Sequence, residues 1–169
     1  MSRVTPQALA DAITIVRAMG IEQKERLADE LFRTQPNLLG SALALQRMGV
    51  SLAKIEVALD LLFVCFQSMK QSGLHWPMIT EADLDQQLGR YVATVRFGED
   101  LNPAQRQRAM MQYLESHPEK TLLAHVTDEL NKWLARIVPE DTDNYVMLAC
   151  MNFVNCIAFA AIPTAAKRT

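Results

Sequence analysis

Apolar positions recur along the chain at the three- and four-residue spacing of amphipathic helices, and sustained strand-like alternation is absent from the sequence. The first such stripe is formed by Leu9, Ala12, Ile13 and Val16. Pro6, which suits the first turn of a helix, precedes the stripe, and Gly20, a frequent helix terminator, follows it. The pattern therefore predicts a first helix between Pro6 and Gly20.

Caps and breakers divide the rest of the chain into seven further helices, with predicted starts near residues 22, 37, 51, 80, 102, 116 and 141. Capping-box spacing, in which two side chains cap each other's backbone, is found at Thr80–Asp83, Asn102–Gln105 and Ser116–Glu119. In the second helix, Phe32 is predicted on the buried face. The sequence thus predicts an all-α, single-domain bundle of about eight helices over residues 1–169.

Two segments are apolar on nearly all sides, residues 57–66 and residues 145–162, and both are predicted to lie at the centre of the bundle. The segments 23–36 and 105–118 align without gaps and share Gln, Arg and Pro at matching positions. This similarity suggests, as one alternative, two pseudo-repeated four-helix halves, 5–72 and 80–162, joined by a linker at 73–79.

The segment 145–162 carries no charged residue over 18 positions, so a membrane-spanning helix is an alternative to a buried one. Asn152 and Asn155 near its middle and Pro163 after it argue against a span, because unpaired amides are costly in hydrocarbon. We therefore predict a buried core helix and consider a membrane role unlikely. A helix shared across a homodimer interface is the remaining alternative.

Composition excludes several classes of protein. With 50% apolar and 21% charged residues, the chain is predicted to fold, and a net charge of -2 argues against nucleic-acid binding. Three unpaired cysteines, Cys65, Cys150 and Cys156, lie in apolar stretches and favour a reducing compartment. Because the N-terminus also lacks the pattern of a signal peptide, we expect a cytoplasmic location.

No motif of known chemistry is found in the sequence. The three histidines, His75, His117 and His125, have no Glu-x-x-His or His-Glu-x-x-His spacing, and no glycine-rich phosphate loop exists. The group of His125, Asp128 and Glu129 is interpreted as a solvated helix face. We therefore predict no catalytic residue, no cofactor and no metal site.

The preferred interpretation is a non-enzymatic helical interaction module, of a regulatory or adaptor kind, with a protein partner and a tendency to form homodimers. Trp76, with Leu74 and Met78, is the predicted partner-binding cluster, because exposed tryptophans often anchor interfaces. The alternative is a small-molecule binder with an apolar cavity between the two long helices. Its predicted lining is Phe63, Phe66, Met151, Asn152 and Asn155. A third alternative is an enzyme whose residues converge only in the fold.

Overall fold

The computed structural model describes residues 2–163, which form eight α-helices and no strand. The helices are α1 (Pro6–Arg17), α2 (Ile21–Thr34), α3 (Pro36–Leu43), α4 (Leu52–Gln71), α5 (Glu81–Glu99), α6 (Pro103–Ser116), α7 (Lys120–Leu134) and α8 (Asp143–Phe159). A short 3₁₀ turn, Ala44–Met48, follows α3. The predicted all-α bundle is confirmed.

Two of the three predicted capping boxes are present. The Thr80 hydroxyl accepts from the Asp83 amide over 3.1 Å, and the Asp83 carboxylate accepts from the Thr80 amide over 2.9 Å. These hydrogen bonds hold the pKa of Asp83 below its usual value. Asn102 and Gln105 cap α6 in the same reciprocal way.

The third predicted capping box is wrong, because Ser116 is the last residue of α6 and α7 begins only at Lys120. His117, between the two helices, has extended backbone geometry, so Ser116 is not placed to cap α7. The Glu119 carboxylate accepts hydrogen bonds from the N-terminal segment instead.

The two apolar segments occupy the centre of the bundle, as predicted. Helix α4 packs against α8, α1 covers the other side of α4, and α5 and α7 flank α8. Residues 61–69 of α4 and residues 150–158 of α8 are buried without interruption. One apolar core thus extends from Val4 to Ile157. No helix within residues 2–163 has both the length and the apolar character needed to cross a bilayer.

Helix α8 ends at Phe159, three residues before the predicted end at Ile162, because the backbone becomes extended at Ala160. The Arg3 guanidinium donates to the carbonyl oxygens of Ile157 and Ala160 and so satisfies groups that the end of the helix leaves open. The N-terminal segment is therefore fastened to the last turn of α8.

The predicted pseudo-repeat is not confirmed. Helix α2 buries Leu27 and Leu31, whereas its proposed counterpart α6 buries no residue. The prediction for Phe32 is wrong, since its side chain is 66% exposed. Helix α2 packs mainly against α3 and α4, and its buried stripe is narrow.

Candidate functional site

A cavity of about 620 Å³ opens between the second half of α5 and helices α6, α7 and α8. We call it the α5–α8 cavity. Six of its sixteen lining residues are aromatic or methionine: Tyr91, Phe97, Tyr113, Met110, Met147 and Met151. Its volume lies within the roughly 300–1,000 Å³ that is typical of ligand pockets.

The two sides of the α5–α8 cavity differ in how firmly they are packed. The inner wall comes from α7 and α8, where Leu130 and Met151 belong to the buried core. The outer wall comes from α5 and from α6, which has no buried residue. Val95, Phe97 and Met110 are exposed at the mouth, and the Phe97 side chain is 71% exposed. The cavity therefore has a rigid floor and a lightly anchored cover.

Besides the two tyrosines, five of the sixteen lining residues are polar or charged: Thr94, Glu99, Arg106, Thr127 and Asn131. The Thr127 hydroxyl is shielded from solvent and has no hydrogen-bond partner within residues 2–163. Arg106 lies at the mouth, but its guanidinium donates to the carbonyl oxygens of Gly98, Glu99 and Leu101 and so caps the end of α5. The lining thus offers one unengaged buried hydroxyl in mainly apolar surroundings.

A buried chain of hydrogen bonds lies behind the cavity wall. The Tyr113 hydroxyl donates to Asn155 Oδ1 over 3.2 Å, and His117 Nε2 lies 2.8 Å from the same oxygen. His117 Nδ1 accepts from the Glu119 amide over 3.1 Å, so the ring proton belongs on Nε2, which donates to Asn155. Tyr113 and His117 are therefore held by the same acceptor, the side-chain oxygen of Asn155.

Aromatic rings extend this arrangement from the cavity to the end of α8. The ring centroids of Tyr91 and Tyr113 are 6.3 Å apart, those of Tyr113 and His117 5.6 Å, and those of His117 and Phe159 6.2 Å. Burial raises the pKa of both tyrosines above the ordinary value. Both phenols thus remain protonated at neutral pH, and the Tyr113 hydroxyl donates to Asn155.

Glu119 ends the chain of hydrogen bonds and fastens the N-terminus. Its carboxylate accepts from the Arg3 amide over 2.6 Å and from the Val4 amide over 3.2 Å, and its side chain is fully buried. Burial raises the pKa of Glu119, and the two backbone hydrogen bonds oppose that rise only in part. The burial of Glu119 is therefore explained by its structural role, which is to bind the backbone amides of the N-terminal segment.

The residues predicted to line a cavity between α4 and α8 do not lie around one common cavity. Those two helices pack directly on each other, and Phe63 and Phe66 are buried in the core without lining the α5–α8 cavity. Met151 lines that cavity, and Asn155 holds Tyr113 in its wall. Asn152 lines a separate crevice between α3 and α5.

The predicted partner-binding cluster lies in the connection between α4 and α5. The Trp76 indole N–H donates to the Met69 carbonyl oxygen and the Ser72 hydroxyl, both over 3.0 Å, and the ring is half-buried against the core. Leu74 and Met78 are exposed. Trp76 thus closes the end of α4, and its role as an anchor stays a prediction.

The other chemistry considered in the sequence does not assemble into a site. Asp128 and Glu129 form ion pairs with Lys132, and burial lowers the pKa of the neighbouring His125. Within residues 2–163, no group of three or more His, Cys, Asp or Glu side chains is placed to hold a metal ion.

All three cysteines are buried, and burial raises the pKa of Cys65 and of Cys156 to about 12. Burial also raises the pKa of Cys150. Since the thiolate is the reactive form, we expect Ellman's reagent to modify none of the thiols in the native protein within minutes and all three in guanidinium chloride. Rapid modification of one native thiol would contradict the burial of these residues.

Comparison of the chain with protein-family models, with curated proteins and with solved structures gives no match.

Proposed function

We propose that the chain is a non-enzymatic binding protein that holds an apolar or amphipathic small molecule in the α5–α8 cavity. The observation that carries this proposal is the combination of about 620 Å³ of space with a lining of tyrosine, phenylalanine and methionine side chains. Burial of apolar ligand surface against such a lining stabilises a complex without any charged contact.

The lining also favours a particular shape of ligand. Methionine side chains adapt to irregular surfaces, and three of them, Met110, Met147 and Met151, line this cavity. The unengaged Thr127 hydroxyl offers a single buried hydrogen bond. The best ligand is therefore mainly hydrocarbon or aromatic, with one polar group that reaches α7.

The test uses Nile red, a neutral apolar dye whose fluorescence rises in apolar surroundings. We expect saturable binding of one dye per chain. Ala109→Phe, which places a ring in the cavity lining, is expected to weaken dye binding about tenfold or more, equivalent to the roughly 1.4 kcal/mol of one well-buried contact. Fluorescence titration measures both dissociation constants.

The matched control is Ala104→Phe, the same substitution at an exposed position of α6 that does not line the cavity. Its dye affinity is expected to equal that of the wild type. Circular dichroism melting curves verify that both variants fold. Absence of saturable binding, or equal weakening by the two substitutions, would overturn the proposal.

A second candidate function is a protein interaction at the mouth of the α5–α8 cavity. It is favoured by Val95, Phe97 and Met110, whose apolar side chains are exposed there. A ligand inside the cavity would leave these side chains uncovered. The occupant that fits them is the apolar face of a partner's amphipathic helix. Phe97→Asp would abolish binding of such a helix and, because Phe97 also lines the cavity, would weaken Nile red binding as well. A monomer–dimer change on Phe97→Asp in light scattering would identify that partner as a second copy of the chain.

A further inference from the structure

We infer that a second, independent site for an organic ammonium ion lies in the crevice between α3 and α5, floored by Asn152 of α8. We call it the α3–α5 crevice. It measures about 520 Å³, and its lining includes Asn37 and Ser41 of α3, Glu81, Leu84 and Asp85 of α5, and Asn152. This inference does not depend on the α5–α8 cavity.

The first observation is an unsatisfied acceptor on the floor of the crevice. Asn152 is 5% exposed, and its Nδ2 donates to the Leu84 carbonyl oxygen over 3.1 Å. This bond fixes the orientation of the amide, because rotating it would bring two oxygens together. Oδ1 is consequently the atom without a partner within residues 2–163. A buried acceptor of this kind favours a ligand that supplies an N–H donor.

The second observation concerns the uncharged polar side chains of Asn37 and Ser41 in the crevice, each of which donates one hydrogen bond within the protein. Asn37 Nδ2 donates to the Ile79 carbonyl oxygen over 2.9 Å, and the Ser41 hydroxyl donates to the Leu38 carbonyl oxygen over 2.7 Å. Both side chains keep oxygen lone pairs, and Asn37 Nδ2 carries a second N–H. The preference between cations and anions is therefore set by the charges at the rim.

The third observation is charge. Glu81 and Asp85 lie one helical turn apart on α5 and both line the crevice, whereas no lysine or arginine does. Two carboxylates at the rim and a neutral acceptor at the floor suit an ammonium head group with an apolar tail, which can lie against Leu84 and Leu88. Because the carboxylates are exposed, the buried Asn152 oxygen supplies the selectivity for N–H donors.

Gly40 gives a direct way to close the crevice. A Cβ atom built at Gly40 meets no other atom within 4 Å, so a larger side chain there enters open space. Gly89 on α5 has equally open surroundings and does not line the crevice, which makes Gly89→Leu the matched control for Gly40→Leu.

The experiment is an NMR titration of the full chain with n-butylamine hydrochloride, followed through the backbone amides of Ser41 and Leu88. Tetramethylammonium, which has no N–H donor, n-butanol, which has no charge, and magnesium chloride are titrated in parallel. We expect saturable shifts with n-butylamine, and affinity about tenfold lower with tetramethylammonium, the factor that one hydrogen bond of about 1.4 kcal/mol supplies.

Gly40→Leu and Asn152→Leu are each expected to weaken n-butylamine binding about tenfold or more, while Gly89→Leu leaves it unchanged. Removing both rim charges with Glu81→Gln and Asp85→Asn is expected to abolish the preference for n-butylamine over n-butanol. Equal affinity for n-butylamine and tetramethylammonium, binding of magnesium alone, or undiminished binding by Gly40→Leu would each overturn the inference.

Discussion

Glu119→Ala is expected to lower the free energy of unfolding by about 3 kcal/mol, because it leaves the buried Val4 amide and the partly buried Arg3 amide without an acceptor. The carboxylate is the hydrogen-bond acceptor for the Arg3 and Val4 amides, and the Val4 side chain is fully buried in the core. Losing these bonds weakens the attachment of the N-terminal segment at the junction of α6 and α7, while the hydrogen bonds of the Ser2 hydroxyl and the Arg3 guanidinium remain. Urea denaturation followed by circular dichroism measures the change.

The control for this prediction is Glu115→Ala, which removes the same side chain from an exposed position on α6. Its expected effect is within about 0.5 kcal/mol. Equal stabilities of the two variants would show that the Glu119 hydrogen bonds do not hold the N-terminus.

The pH dependence of stability provides a second measurement on Glu119. Burial raises its folded pKa above the ordinary value of 4.5, so the folded state binds the proton more tightly than the unfolded state. From about pH 4.5 up to the raised pKa, the contribution of this group to the unfolding free energy therefore falls as pH rises. Glu119→Gln removes this titrating group. The unfolding free energy of the wild type minus that of Glu119→Gln is therefore expected to fall as pH rises through the same range.

Asn155→Leu is expected to cost about 2 kcal/mol, since it leaves the His117 Nε2–H group buried without a partner. Asn155 Oδ1 is the acceptor for both His117 and Tyr113, but only Tyr113 is exposed enough for water to replace the lost bond. Tyr113→Phe is accordingly expected to cost less than about 1 kcal/mol. Thermal and urea unfolding measure these differences.

A double-mutant cycle isolates the Asn155–His117 bond. The double variant Asn155→Leu with His117→Phe replaces both partners by apolar groups, so it is expected to lose less stability than the sum of the single variants. Strict additivity of the two single effects would contradict a direct bond between these side chains.

Local chemistry explains why so much of the fold was predictable. The caps at Thr80 and Asn102 depend only on residues three positions away, which a sequence displays directly. The same spacing at Ser116–Glu119 failed because the Glu119 carboxylate binds backbone amides more than a hundred positions away, at Arg3 and Val4. Long-range partners of this kind carry no signal in a single sequence.

The candidate sites were predicted less completely for the same reason. The sequence identified Asn152 as a buried amide in need of a partner. It did not show that the Leu84 carbonyl oxygen would pair with Nδ2 and leave Oδ1 without a partner within residues 2–163. Tyr113 and Asn155 meet across 42 positions, so their pairing was not foreseen. The adjacent Met110 and Met111 in an otherwise polar helix were the available signal for an apolar opening beside α6.

The sparse anchoring of α6 has a consequence for its motion. All 14 of its residues keep at least partial contact with solvent, and Tyr113 and Leu114 are its residues that pack against the core. We therefore expect its amide hydrogens to exchange with deuterium through a local opening, and those at the centre of α8 to exchange more slowly, through unfolding of the whole chain. For the proposed ligand of the α5–α8 cavity, we therefore expect entry and release on a timescale set by the opening of one helix rather than by unfolding of the whole chain.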